Sequence, residues 1–438
     1  MPTLDHWDYK LLGIPKLIEC PVMEVMGNDH EPPLLVGPGH ISIESRSSMH
    51  FVMHAEAPDP GRALEALVLA RNNPFHTLKQ LRIFATDYDG IHWNCGWVDV
   101  KVGEITASRW RLSGEIQAIM TKASGYGVAQ NRGLEVIYDR KLNLPDPMPR
   151  RREAPTPEGS PHTATVAGVK LEFFQRRDEN TTLGIAGASA DFHAPYAENW
   201  ISEPFNILLG QVVYPRLVAR NMGDGTAQIS LRVVPEHVAN HAISSILSAT
   251  TLPDHQRFWS LYTAILSMVV YARNEAGEPN FQVNTLTHYY QELAQATSGS
   301  NWVLCMTLAS IIEGVADLMF PACERVSDID PVMIESLKAH IKEWRGDKHL
   351  RGRILGSLAR TKTQGVIQSL RSLCEDGALE QSQLETWITV RNQVMHGRLV
   401  SPWSTEELEL QLKNLIQLVH RLSENYIRET AAAPSDGV

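Results

Sequence analysis

Arginine and histidine are side chains with which a protein can handle a phosphodiester without a metal. This chain places them five residues apart in the run Arg391-Asn392-Gln393-Val394-Met395-His396. An arginine guanidinium stays charged and offers a rigid fork of donors to phosphate oxygens. A histidine titrates near neutral pH and can serve as general acid or base. The Asn392 amide, between them, can orient His396 or the phosphate. The set suits cleavage of RNA, in which the ribose 2′-OH attacks the adjacent phosphorus. The barrier there lies in moving protons and in stabilising charge on the phosphorane. DNA lacks that hydroxyl and would not be cut.

The spacing alone says little, because it recurs at Arg71 to His76 and at Arg232 to His237. Both of those runs carry an internal proline, Pro74 and Pro235. Proline removes a helical hydrogen bond and clashes with the preceding turn. The Arg391 run lies wholly in a segment, residues 381–400, that reads as one helix. Its apolar positions Leu384, Trp387, Ile388, Val394, Met395 and Leu399 share a face at about 100° per residue. Arg391 falls in the middle of that face, and Asn392 and His396 sit together on its edge. An arginine aimed at a packed surface is costly unless it is paired or faces a cleft. Two readings stand: a structural arginine satisfied by a carboxylate, with a histidine on a solvated edge, or a catalytic pair.

The carboxylate is expected from residues 301–320, a helix apolar nearly all round and therefore expected to be buried. Its few small or polar residues, Thr307, Ser310, Glu313, Gly314 and Asp317, gather on one side. Glu313 and Asp317, one turn apart, need a partner, and Arg391 is the obvious candidate. The pair is either purely structural or an acid that orients Arg391 and tunes His396. A basic run, Lys342, Arg345, Lys348, Arg351, Arg353, Arg360 and Lys362, is the candidate patch for an RNA backbone; a solvated helix face is the other reading.

These elements belong to a chain that divides near residue 250, giving an α+β protein. Residues 1–250 form the β-rich domain, with an internal break at the Pro-rich loop 144–165, which carries Arg150, Arg151 and Arg152. Strands are expected over 40–54, 81–85, 91–102, 110–119, 166–175 and 228–234, with Asp89-Gly90 as a hairpin signal. Helical patches are expected at 61–70, 206–218 and 236–247. Residues 251–438 form the all-α domain, a helical bundle. Its helices are expected over 254–274, 283–296, 301–320, 331–344, 348–373, 381–400 and 405–428, the last capped by Ser404 or Thr405 with Glu406 and Glu407 in its first turn.

Composition sets the outer bounds. A chain of 438 residues, 43% hydrophobic, exceeds one typical domain and can bury a substantial core. A net charge of −10 argues against a globally basic protein that coats nucleic acid, and leaves room for a local basic patch. The five cysteines, Cys20, Cys95, Cys305, Cys323 and Cys374, are widely spaced and show no metal-ligand pattern. They suggest a reducing cytoplasm. No signal peptide is expected, since Asp5, Asp8 and Lys10 interrupt the N-terminus, and no apolar stretch reads as long enough to span a membrane. His50 with His54, and His237 with His241, have a spacing that a metallohydrolase could use, but neither pair has an internal glutamate or an evident third ligand.

The Arg391-to-His396 run, in the penultimate helix of an all-α domain, resembles the HEPN superfamily, whose active members are metal-independent ribonucleases. That resemblance covers roughly residues 255–430. The whole layout is similar to a narrower group, the ApeA-like antiphage defence proteins, which join a β-rich N-terminal region to a C-terminal HEPN domain. There it rests on residues 39–51, on Ile91-His92-Trp93 and on residues 201–220. The resemblance implies Arg391, Asn392 and His396 as the family's arginine, polar residue and histidine, and Glu313 as its acidic partner, with Asp317 second. It implies no cofactor and a homodimer through the C-terminal domain, with two motif helices facing across a composite cleft. It further implies RNA, transfer RNA above all, as substrate, and an N-terminal half that senses a phage-derived trigger or holds the nuclease quiet. Several HEPN toxins carry a regulatory tyrosine two residues after the histidine; Arg398 stands there in this chain. Two alternatives stay open: a non-catalytic HEPN module for RNA binding or assembly, and a scaffold whose β-rich half binds a phage component.

Overall fold

The computed structural model describes residues 11–432 except 28–30, 77–78, 107–108, 125–132, 140–141, 143, 145–161, 167, 176–181, 187–196, 223, 235–254, 322–329 and 361–364. The chain forms two compact units: Met1–Phe205, Val212–His237 and Asp254–Val283 make the first, and Asn206–Gln211, Val238–Pro253 and Asn284–Val438 the second. The α+β organisation holds, with a large antiparallel sheet in the N-terminal half and helices in the C-terminal half.

Among the described residues the first unit is built on fourteen strands in one sheet. In chain order they are β1 (Lys16–Met26), β2 (Leu35–Ile43), β3 (Met49–Glu56), β4 (Leu81–Thr86), β5 (His92–Val98), β6 (Lys101–Ile105), β7 (Arg109–Glu115), β8 (Ala118–Ser124), β9 (Gly133–Tyr138), β10 (His162–Val166), β11 (Val169–Gln175), β12 (Thr182–Ala186), β13 (Leu217–Asn221) and β14 (Thr226–Arg232). Their order across the sheet is β10-β11-β12-β9-β13-β14-β8-β5-β4-β1-β2-β3-β7-β6. Strict alternation drives the central strands. On β3, Met49, Phe51, Met53 and Ala55 are buried and the residues between them are not. One face of β1–β5, β7, β8, β13 and β14 thus builds a continuous apolar core around Met23, Phe51, Ile83 and Ile229. The expected Asp89-Gly90 hairpin joins β4 to β5, and Asp87 organises it by accepting from the backbone N–H of Asp89 and Ile91 and from Trp93 Nε1.

Helices in this unit are α1 (Pro60–Asn72), α2 (Ala197–Trp200), the start of α3 (Glu203–Leu209) and α4 (His255–Tyr271). Helix α4 packs on β10 and α2. Its Trp259 and Tyr262 join Phe173 of β11 and Phe205, with ring centroids 4.9 to 6.2 Å apart. This cluster fixes α4 to the sheet-bearing unit. Several expectations are corrected here. Residues 206–218 are not one helix: α3 ends at Leu209 and Leu217 begins β13. Residues 91–102 divide into β5 and β6, and 110–119 into β7 and β8. The proposed loop 144–165 ends in a strand, since β10 starts at His162. The helical patch at 236–247 and Arg150 to Arg152 lie outside the described residues.

The second unit carries α5 (Thr285–Ala296), α6 (Asn301–Met319), α7 (Pro331–Glu343), α8 (Lys348–Arg360), α9 (Val366–Glu375), α10 (Gln381–Met395) and α11 (Glu406–Ala432). Helix α6 is its centre and is packed by α5, α9, α10 and α11. That position explains its nearly all-round apolar sequence. By length and composition α6 could cross a membrane, which corrects the expectation that no segment reaches that length; half of it is buried inside the protein, as a core helix would be. The helix expected over 348–373 is two, α8 and α9. Gly365 sits extended (φ −78°, ψ 159°) ahead of α9 and breaks the run. At α11 the Thr405 hydroxyl accepts from Leu408 N–H, as a capping residue does.

Candidate functional site

Trp387 anchors α10. It is fully buried and its indole Nε1 donates to the Ala309 carbonyl on α6 at 3.1 Å. One turn on, Arg391 lies beside that ring, its Cζ 5.8 Å from the centroid. From there the guanidinium reaches α6 and closes a fork on Glu313: Nε donates to Oε2 at 3.0 Å and Nη2 to Oε1 at 3.2 Å. Two parallel charge-assisted bonds fix its plane as well as its position. The pair is not entombed. The side chains of Arg391 and Glu313 are 30% and 38% exposed, so solvent screens much of their attraction.

The fork borders a cavity of about 430 Å³ lined by Glu313, Asp317, Gly365, Val366, Ile367, Trp387 and Arg391. Arg391 thus satisfies both conditions for an arginine on an apolar face, a carboxylate and a cleft. Asp317 lines the same cavity and also raises the pKa of the Tyr289 phenol, after the larger effect of burial. Tyr289 lies so close to Gly314 that a Cβ there would collide with its ring and hydroxyl. A glycine next to Glu313 is therefore what lets α5 press against α6 at this level.

The third wall was not foreseen. It is the first turn of α9. Its cap residue Gly365 makes no side-chain cap, and among the described residues no bond from the Val366 or Ile367 N–H appears. Uncapped N–H groups at the positive end of a helix favour an anion. The signal in the sequence was Gly365 itself, a breaker inside a run read as one helix.

His396 and Asn392 are placed differently. Neither lines the cavity, and both are exposed. The helix ends sooner than residue 400: α10 stops at Met395, His396 is its cap, and Gly397 takes a left-handed φ of 70°. His396 is thus fixed by its backbone, which donates to the Asn392 carbonyl at 3.3 Å. Its ring and the Asn392 amide have no hydrogen-bond partner among the described residues. Met395 and Leu399, expected on the packed face, are 62% and 84% exposed, and Trp403 is 77% exposed. These apolar side chains lie within seven residues of His396 in the chain and are open to solvent.

Of the basic run, Lys348 and Arg353 are exposed on α8, and Arg351 is tied to the Trp344 carbonyl at 2.9 Å. None of them lines the cavity. Arg360 ends α8, with its side chain outside the description, and Lys362 lies outside the described residues altogether. The other two arginine–histidine spacings are not helical throughout. Helix α1 ends at Asn72, four residues before His76. Arg232 sits on β14 and pairs with the buried Glu198, and its His237 lies outside the described residues. His50, of the other histidine pairs, meets Ser48 Oγ at 2.7 Å; His237 and His241 lie outside the described residues. Cys20, Cys95, Cys305 and Cys374 are free thiols. Among the described residues no three His, Cys, Asp or Glu side chains converge as metal ligands.

No protein family, no curated protein and no solved structure matches this chain.

Proposed function

We propose that this chain is a metal-independent endoribonuclease of the HEPN type, acting in antiphage defence in the cytoplasm, with RNA, transfer RNA foremost, as its substrate. The observation that carries the reading is the bidentate Arg391–Glu313 fork at the mouth of a cavity whose far wall is an uncapped helix N-terminus. In this reading Arg391 and the first N–H groups of α9 take the scissile phosphate and the charge that develops on it. Glu313 holds the guanidinium plane until phosphate competes for it. His396 moves the proton at the 2′-OH or at the leaving oxygen, and Asn392 orients it.

One chain leaves His396 and Asn392 outside the cavity. A homodimer supplies what is missing, with the two α10 helices facing so that the partner's copies complete the cleft. The exposed Met395, Leu399 and Trp403 beside His396 support that arrangement, because apolar surface of this kind marks contact sites. Lys348, Arg351 and Arg353 then serve as outlying phosphate contacts rather than as part of the cleft. The sheet-bearing half is the sensor or regulator, with a phage component as trigger. A second reading has its own support: an ion pair about a third exposed, without histidine in the same cavity, is also what a non-catalytic HEPN module for RNA binding or dimerisation would carry.

The reaction class is tested by incubating the full chain with an RNA and with the same strand carrying 2′-deoxyribose throughout. Cleavage of the RNA alone is the expected result. Cleavage of both would overturn a mechanism that uses the 2′-OH, and binding of RNA without cleavage would favour the second reading.

A further inference from the structure

The two faces of the sheet in the first unit are treated differently along its width. One face holds the apolar core. On the other, Tyr138 of β9 is covered, its hydroxyl meeting Ser202 Oγ at 2.9 Å and its ring meeting Phe205. Register carries this second face across the sheet. Arg220 of β13 lies opposite Gln228 of β14, and Gln228 opposite Lys122 of β8. Met120 of β8 lies opposite Asn94 of β5, Asn94 opposite Phe84 of β4, and Phe84 opposite Glu24 of β1. Over these last strands the face holds a cavity of about 670 Å³. That falls within the range of roughly 300–1,000 Å³ typical of small-molecule sites.

Its chemistry is graded. Its lining includes Phe84 of β4, His92 of β5 and Met120 of β8. Two amides border them, and each has one end already occupied. Asn94 Oδ1 accepts from Gly96 N–H at 2.9 Å, which leaves its Nδ2 donor without a partner among the described residues. Gln228 Nε2 rests on Met120 Sδ at 3.6 Å, which leaves its Oε1 acceptor without one. A donor and an acceptor beside an aromatic floor suit the edge of a nucleobase. At the two ends stand opposite charges, Lys122 on β8 and Glu24 on β1; the Lys122 ammonium also acts on the nearby Asp224 carboxylate, whose pKa it helps to lower after the larger effect of the Thr226 hydrogen bonds. Three strand spacings separate β8 from β1, on the order of 14 Å.

We infer that this face binds a purine nucleotide: the base stacks on Phe84 and Met120, its ring edge meets Asn94 and Gln228, its exocyclic amine donates to Glu24, and its phosphate lies at Lys122. The same chemistry is presented by a free mononucleotide and by a purine in single-stranded RNA. The site uses the first unit alone, so it stands apart from the nuclease reading.

Titration calorimetry of the full chain with AMP, GMP, UMP, inorganic phosphate and an octanoate control tests it, alongside an oligoadenylate arm. AMP or GMP is expected to bind in the micromolar range, ahead of UMP and phosphate. Lys122→Ala, at an exposed position, and Glu24→Gln, at a half-buried one, should each weaken it by roughly tenfold, since each removes a charge-assisted contact. Their unchanged melting would show that the loss is not unfolding. Competition between oligoadenylate and AMP, with the oligomer also weakened by Lys122→Ala, would name an RNA strand as a source of the same base. Binding that both substitutions leave untouched, phosphate binding as tightly as AMP, octanoate binding in preference to nucleotides, or no binding by AMP, GMP and oligoadenylate would each overturn the assignment.

Discussion

At the scale of single residues, the arrangement turns on how little the Arg391–Glu313 pair contributes to stability and how much it contributes to position. Exposed ion pairs are typically worth no more than about 1 kcal/mol, and both partners here are about a third exposed. Glu313→Gln is therefore expected to change urea stability by less than about 1 kcal/mol while lowering RNA cleavage by at least about tenfold, because a loosened guanidinium meets the phosphate less often in the productive geometry. A variant that unfolds readily but cleaves normally when folded would make the pair a structural tie. This pairing was legible in the sequence, since an arginine on an apolar face and two acids on a buried helix each demand a partner. The exposure of Met395 and Leu399 was not, because the helical period was continued past the true end of α10.

At the scale of elements, that end is set by Gly397. Its φ of 70° is a left-handed turn that side chains with a Cβ resist. Gly397→Val is expected to cost about 1 kcal/mol or more in thermal unfolding. It should lower cleavage beyond what the stability loss explains, since the cap is what aims His396. An unchanged cleavage rate in the folded variant would separate the cap from the chemistry. The junction of α5 and α11 carries a pH dependence of its own. His420 meets the Tyr290 hydroxyl through Nδ1 at 2.9 Å, and its Nε2 is buried with no hydrogen-bond partner among the described residues, although the residue as a whole is not fully buried. Burial pushes its pKa down to about 3. The unfolded chain takes up a proton near pH 6.5 that the folded one refuses, so stability is full above that pH and is lost as pH falls toward about 3. Wild type should lose about 2 kcal/mol between about pH 7.5 and pH 5 from this group, a loss that His420→Gln should lack. Parallel pH profiles in chemical denaturation would count against it. Neither the cap nor this junction was legible beforehand: the helical period was carried through Gly397 to residue 400, and a histidine on an amphipathic helix gives no sign of which side chain it will meet.

At the scale of the molecule, the sequence showed where sheet gives way to helix because one-sided strands alternate, as β3 does. It hid β9, whose burial is nearly continuous, and β13, buried from Leu217 to Ala219, because a strand covered on both faces loses its alternation. The helical unit leaves apolar side chains open near the motif, where the proposed dimer would cover them with a second copy. Leu399→Asp and Trp403→Asp are expected to yield monomers in light scattering that melt as wild type does and cleave RNA at least about a hundredfold more slowly, each having lost the facing half of the cleft. Monomers with full activity would mean that one chain holds a complete site. The most direct test of the central claim is cleavage of total transfer RNA, with EDTA present, by wild type, Arg391→Ala and His396→Ala. Wild type is expected to cleave it, leaving 2′,3′-cyclic phosphate ends, with a loss of at least about a hundredfold in each variant. Cleavage that survives both substitutions would contradict it and leave Arg391 and Glu313 as a structural ion pair.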